Sequence, residues 1–329
     1  DGWLVVELGA DDDETLRARV ADFRSSLEGS ARSFREYDER EAEHLMWVRE
    51  DALGATAHPH DLRRTWPGWE DSAVPPDRLG DYLEDFNRLL DEFGFGEASR
   101  YGHFGHGCLH ISIPFDLTTA DGVAAYRAFL DRAAHLVAHC GGSLSGEHGD
   151  GQQRGQLLPV MFGERVVEGF RRLKALLDPS DAMNPGRVVA AEPPDEGLRL
   201  GTDYAPTTHK DLHFLYPHDG GSFDAAVLRC VGVGECRRHD SGVMCPSYRA
   251  TGEEEHSTRG RSRLLFEMLS GHEDSPIRDG WRSTAVRDAL DLCLACKGCR
   301  SDCPVNVDMA TYKAEFLSHH YAGRVRPAS

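Results

Sequence analysis

The chain has 329 residues, 40% of them hydrophobic and 28% charged, with a formal net charge of −18. That length exceeds what one hydrophobic core supports, so two domains are expected. No apolar run approaches the length that crosses a bilayer, and the negative charge argues against a nucleic-acid partner, which needs clustered cations.

Residues Asp1 to Leu8 read as a strand, with no initiator Met and no signal-peptide pattern, so the chain is expected to be a piece of a larger protein. A helix follows, carrying Leu16, Val20, Phe23 and Leu27 on one face at close to the 3.6 period, with Gly29 as its stop. Glu36 to Asp51 is predicted helical. Trp66-Pro67-Gly68 and Val74-Pro75-Pro76 break regular structure. Pro76-Asp77 opens a helix whose Leu79, Leu83, Phe86, Leu89, Leu90 and Phe93 face the core.

Tyr101 to Phe115 is predicted to contain one strand, with Leu109, Ile111 and Ile113 on one face and His110 and Ser112 on the other. Thr119 caps a long helix over about 120–139, ended by Gly141-Gly142. A Gly-rich loop, Ser145-Gly146-Glu147-His148-Gly149, precedes a helix carrying Val166, Val167, Phe170, Leu173, Leu176 and Leu177. Asn184-Pro185-Gly186 closes a first domain, set at residues 1–192. Residues 193–224, loop-like and with little periodicity, form the expected linker, and 225–329 a second domain of short helices strung between cysteines.

Seven of the nine cysteines fall between Cys230 and Cys303, while Cys108 and Cys140 read most simply as small buried residues. Spacing that tight suits metal or cluster ligation in a reducing compartment, which predicts a cytoplasmic protein, peripheral attachment to a membrane being left open. The strongest signal is Cys293, Cys296, Cys299 and Cys303-Pro304, an ungapped CxxCxxCxxxCP. Three thiolates two residues apart wrap one face of a cubane, while the fourth reaches a different cluster. By that crossover logic Cys245-Pro246 completes a [4Fe-4S] site with Cys293, Cys296 and Cys299. Zinc knuckles are the alternative.

Cys230 and Cys236 repeat the outer spacing, but Val233 stands where the middle cysteine would be. Cys230, Cys236 and Cys303 therefore leave three outcomes: a [3Fe-4S] cluster, a [4Fe-4S] cluster with a non-cysteine fourth ligand, or an empty site. Clusters of this kind accept electrons singly from a two-electron donor, which implies redox chemistry elsewhere in the chain.

In the first domain, Gly102 to His110 supplies His103 and His110, and the Gly-rich loop adds a carboxylate and a third imidazole. Two His and one carboxylate leave open positions on a divalent metal, as in a catalytic site. A 2-hydroxy acid chelates such an ion through its hydroxyl and carboxylate oxygens, which lowers the hydroxyl pKa. A neighbouring neutral His then removes the proton while the α-hydrogen leaves as hydride to a flavin.

GHFGHGCLH resembles the GHxGDGNxH motif, SGEHGDG the SGEHGxG motif and NPGRV the NPGK motif of the FAD-linked oxidase C-terminal domain in the vanillyl-alcohol-oxidase superfamily. Within it the chain is similar to large fused D-2-hydroxyglutarate and D-lactate dehydrogenases, in which RCxGxGxC, MCPS and HSxxGR precede the CxxCxxC run. The resemblance covers nearly the whole chain. It implies that His103, His110 and Glu147 hold Zn2+ or Mn2+, that His148 is the base, that Asn184 sits near FAD and that Arg49 grips the substrate carboxylate. His106 and Cys108 depart from the motif's Asp and Asn, which puts the tuning of the site in question but not its ligands.

The expected fold is α+β: an antiparallel sheet with flanking helices, followed by a small, mainly α ferredoxin-like domain. The resemblance further implies a flavin-gripping domain before this segment and a cysteine-rich region after it. The chain alone is therefore expected to bind FAD poorly and to turn over no hydroxy acid, and a saturable flavin titration would contradict this. The expected partners are a small 2-hydroxy acid of the 2-hydroxyglutarate, lactate or glycolate class and an electron acceptor of unspecified identity. Two competing readings are an electron-transfer or scaffold protein whose metal site is vestigial, and a zinc hydrolase with an attached cluster module. The second is disfavoured by the lack of an HExxH helix.

Overall fold

The computed structural model describes residues 3–50, 56–58, 63–207, 209, 211–240 and 242–326, without the side chains of residues 39 and 47–50. The chain divides into two compact units, Asp1–Asp51 and Ala52–Ser329. In the first, the expected opening strand does not form, and Trp3 and Leu4 are exposed. A strand persists only where a neighbour takes its N–H and C=O groups, and no described residue of this unit does so. Helix α1 (Asp13–Ser26) starts where Asp12 accepts a hydrogen bond from Thr15 N at 2.8 Å. Leu16, Val20, Phe23 and Leu27 form its half-buried stripe. Helix α2 (Glu39–Glu50) contains Arg49, whose side chain lies outside the described residues.

The second unit holds two cores. The first gathers around helices α3 (Leu79–Glu92) and α4 (Ala120–His139), the latter capped by Thr119, which accepts from Gly122 N. Phe129 of α4 is fully buried, with the rings of Phe86, Phe93, Phe95 and Phe115 centred 5.4–5.9 Å from its own. Phe129→Ala is expected to destabilise this unit by about 3–5 kcal/mol, because both the transfer energy and the packing around the cavity are lost. The denaturant midpoint measures it.

Against these helices lies an antiparallel sheet of β1 (Ser72–Ala73), β2 (Ser99–His103) and β3 (Cys108–Ser112), in the order β1-β3-β2. The single strand expected to carry both motif histidines is a hairpin instead, with His103 ending β2 and His110 inside β3. The turn between them depends on Gly107, at φ +70°, where a Cβ would lie 1.9 Å from the Val74 carbonyl oxygen. Pairing across the hairpin, not alternation along one strand, sets the histidine face.

Helices α5 (Leu158–Phe162) and α6 (Glu164–Leu177) follow. Of the apolar stripe of α6, only Val167 is buried, and Leu173, Leu176 and Leu177 are exposed. Periodicity specifies which residues share a face; it does not supply the neighbour that covers it.

The remaining helices are α7 (Phe223–Val227), α8 (Pro246–Thr251), α9 (Thr258–Leu269), α10 (Thr284–Asp291), α11 (Gly298–Asp302) and α12 (Met309–His320). They enclose the second core with Leu200 and Tyr216 of the irregular segment before α7. Trp66 and Leu117 pack against both cores. Glu315 of α12 is fully buried as an acceptor for the backbone N–H groups of His213 and Phe214, the Tyr216 hydroxyl and His319 Nε2. Those four donors offset the cost of burying its charge and tie the irregular segment to the last helix. No helix among the described residues is long and apolar enough to cross a membrane.

Candidate metal and iron-sulfur sites

In the β2/β3 ladder Tyr101 pairs with His110 and His103 with Cys108. Paired residues share a face, and so do residues two apart. Tyr101, His103, Cys108 and His110 therefore line one side, and buried Leu109 and Ile111 the other.

The Gly-rich loop is brought to that side by Asp71. Its carboxylate accepts from Glu147 N at 3.0 Å, His148 N at 2.8 Å and the Ser145 hydroxyl, and its carbonyl accepts from Gly146 N at 2.6 Å. A Cβ on Gly146 would stand 3.0 Å from Cys108 Sγ and 3.1 Å from Ala73 Cβ, so a side chain there would require these neighbours to give by a few tenths of an ångström. Behind it the buried Arg154 guanidinium donates to the carbonyls of Gly68, Glu70 and Leu144 and lies 4.6 Å from the Trp69 ring centre.

The side chains meet at Glu147 Oε1, which lies 3.0 Å from His110 Nε2, 3.4 Å from His103 Nε2 and 3.8 Å from His148 Nε2. The His110 and His148 rings stack with centres 5.0 Å apart. A second carboxylate, Glu70, stands 3.1 Å from His148 Nδ1 and 3.7 Å from His110 Nδ1. The longer contact is a charge pairing without a formed hydrogen bond, and His110 Nδ1 is a buried nitrogen without a hydrogen-bond partner. His110 holds Glu70 below the usual carboxylate range against the effect of burial, and Glu70 in turn raises His110. At Asp71 burial favours protonation but is outweighed by the Ser145 hydroxyl and the two loop N–H groups. Burial, then Asp71, pushes the Cys108 thiol up to about 12, so it is an S–H donor 3.5 Å from Asp71 Oδ1.

Two compact donor groups share His110: Asp71, Cys108 and Glu147 with His110, and Glu70 and His148 with His110. Imidazole nitrogens and carboxylate oxygens gathered around His110 fit a borderline divalent ion. Asn184 is exposed at φ 49° and is not among the side chains touching this cluster. Glu70, Asp71 and Arg154 were not singled out in the sequence. The first two lie in a stretch marked only by its turn-forming Pro and Gly, and the two adjacent acids were the available signal.

In the second core Cys245, Cys293, Cys296 and Cys299 line one cavity. Positive φ at Ala295 (51°) and Lys297 (61°) curls the segment that carries three of them. Burial opposes ionisation of Cys245, but the Ser247 hydroxyl and the Arg261 guanidinium outweigh it, so this thiol lies below its ordinary value. Burial pushes Cys299 up to about 12, and Cys293 is the first charge to add to this. Four sulfurs lining one cavity fit a cubane cluster.

The remaining three thiols neighbour one another, and Cys236 is also raised by Cys245 of the first set. Each is raised first by burial and also by a neighbouring thiol: Cys230 by Cys303, Cys236 by Cys230, and Cys303 by Cys236. Val233 is 37% exposed.

Residues 226–307 match the 4Fe-4S dicluster domain, and residues 1–188 match FAD linked oxidases, C-terminal domain. The chain is 31% identical to D-2-hydroxyglutarate dehydrogenase of Pseudomonas putida, a match covering 85% of this chain and 30% of that protein. It is 29% identical to D-2-hydroxyglutarate dehydrogenase of Escherichia coli, over 87% of this chain and 31% of that protein. With D-lactate dehydrogenase of Archaeoglobus fulgidus it shares 35% identity over 36% of this chain and 26% of that protein. The chain thus spans about a third of the length of the first two. The histidine hairpin and the Glu147 loop both fall within residues 1–188, and the protein belongs to the FAD-linked oxidase C-terminal domain family, with a 4Fe-4S dicluster domain behind it.

Proposed function

We propose that this protein is the substrate-binding and electron-relay part of a flavin-dependent dehydrogenase that oxidises a D-2-hydroxy acid, of the 2-hydroxyglutarate, lactate or glycolate class, to the 2-oxo acid. The observation that carries this reading is the convergence of His103, His110 and His148 on one oxygen of Glu147. The two names among its relatives support the substrate class. When bound, the cofactors supply Lewis-acid polarisation at Zn2+ or Mn2+, a hydride acceptor at FAD and one-electron relay at the clusters.

The chain's own residues do the rest. His103, His110 and Glu147 hold the ion and leave positions for the substrate hydroxyl and carboxylate. His148 receives the hydroxyl proton at Nε2, because its Nδ1 hydrogen is donated to Glu70 and that bond selects the tautomer. Arg49 binds the substrate carboxylate, and Asn184 contacts the flavin. Cys245, Cys293, Cys296 and Cys299 hold a [4Fe-4S] cluster, and Cys230, Cys236 and Cys303 hold a second. The protein works in the cytoplasm.

A panel of D- and L-2-hydroxy acids, assayed with the full-length enzyme and an artificial acceptor before and after chelation, tests the reading. Turnover of D-acids that is lost on chelation and restored by Zn2+ or Mn2+ supports it; no turnover of any D-acid, or turnover indifferent to metal, ends it. Iron analysis of anaerobically purified protein addresses the clusters, with about four iron atoms per chain meaning one and about seven or eight meaning two. Glu70→Gln is expected to lower kcat by about 10- to 100-fold while leaving metal content intact, as for the loss of a group that orients a functional His.

A further inference from the structure

We infer that Arg261 sets the reduction potential of the cluster held by Cys245, acting as a buried cationic donor to the ligand sulfur. This rests on the proposed assignment of Cys245, Cys293, Cys296 and Cys299 to one cluster.

Arg261 is 1% exposed on α9 and lines the cavity that those four cysteines share. Its three donor nitrogens are all committed. Nε donates to the Ala289 carbonyl at 2.7 Å, Nη2 to the Ser247 hydroxyl at 2.8 Å and Nη1 to Cys245 Sγ at 3.3 Å. Bracing α9 against α10 accounts for the first bond alone. The other two aim the flat end of the guanidinium at the sulfur and at the hydroxyl beside it, and that hydroxyl is fixed by donating to the His256 carbonyl at 3.0 Å. Among the described residues no carboxylate forms an ion pair with Arg261, and as a cluster ligand Cys245 Sγ would carry the negative charge that Nη1 faces. A fully buried cation without a carboxylate is costly unless another negative group offsets it.

One-electron reduction adds one negative charge to a cluster and removes none. A fixed positive charge and a hydrogen bond at a ligand sulfur favour the reduced form, more strongly in a buried site than in water. The geometry therefore raises the potential and makes this cluster a readier acceptor for single electrons.

The test is a reductive titration with dithionite, followed by electron paramagnetic resonance, on the anaerobically loaded chain. Arg261→Gln, which removes the charge, is expected to change the oxidised-to-reduced ratio at fixed ambient potential at least tenfold. That is a shift of about 59 mV or more toward negative values for one electron. Arg261→Lys, which keeps the charge without the fork, should shift it less. Ser247→Ala, which frees Nη2, should shift it in the same direction as Arg261→Gln. Should Arg261→Gln fail to load iron, the Lys and Ala variants decide. Full iron content with ratios within threefold of the parent in all loaded variants overturns the inference and leaves the cluster assignment standing. A parent chain that takes up no iron, or a Cys245→Ala chain that retains all of it, overturns the assignment itself.

Discussion

Glu147→Ala in the full-length enzyme is expected to strip the divalent ion and to lower kcat by about a thousandfold. The reason is geometric. His103, His110 and His148 all approach Glu147 Oε1, at 3.4, 3.0 and 3.8 Å. In the proposed site, removing it would leave two imidazoles to hold the ion. The Lewis-acid polarisation that goes with the ion is worth several kcal/mol in the transition state, and each 1.36 kcal/mol is a factor of ten in rate. The carboxylate is exposed while its backbone N–H is bound to Asp71, so the loop should survive the substitution. Elemental analysis and steady-state kinetics on the same preparation check both halves. A variant that keeps its metal and loses less than threefold in kcat would remove Glu147 from the site.

The second large effect concerns Cys245, which lies far upstream of the CxxCxxC run. Cys245→Ala is expected to cost the chain about four iron atoms and to abolish steady-state electron delivery to an external acceptor. Single-turnover reduction of the flavin by substrate should persist, since the proposed hydroxyacid site lies in a different core. Cys140→Ala serves as the control. It is also buried, but it belongs to the core around α4, so iron content should not change. Equal iron in the Cys245→Ala and parent proteins would mean that the cavity shared by Cys245, Cys293, Cys296 and Cys299 does not hold a cluster.

Much of the local architecture was legible in the residues. Thr119 and the 3.6-residue apolar stripes placed α1, α3 and α4, because caps and periodicity act within a few residues of chain. The ligand candidates were equally visible, since histidine, glutamate and closely spaced cysteine carry their chemistry in their own side chains. The opening strand was misread because a strand is defined by a partner. The histidine strand became a hairpin because Gly107 tolerates a backbone approach that no other residue would.

What the sequence determined by itself is the set of groups: three imidazoles with a carboxylate, and seven thiols in two interleaved patterns. What only the tertiary structure decided is which groups meet and what steadies them. Asp71 draws the Glu147 loop onto the β-hairpin, Glu70 bonds His148, and Arg261 reaches Cys245 from another helix. Those contacts join residues of different elements, and their strength comes from burial and convergent donors, which exist only after the cores have closed.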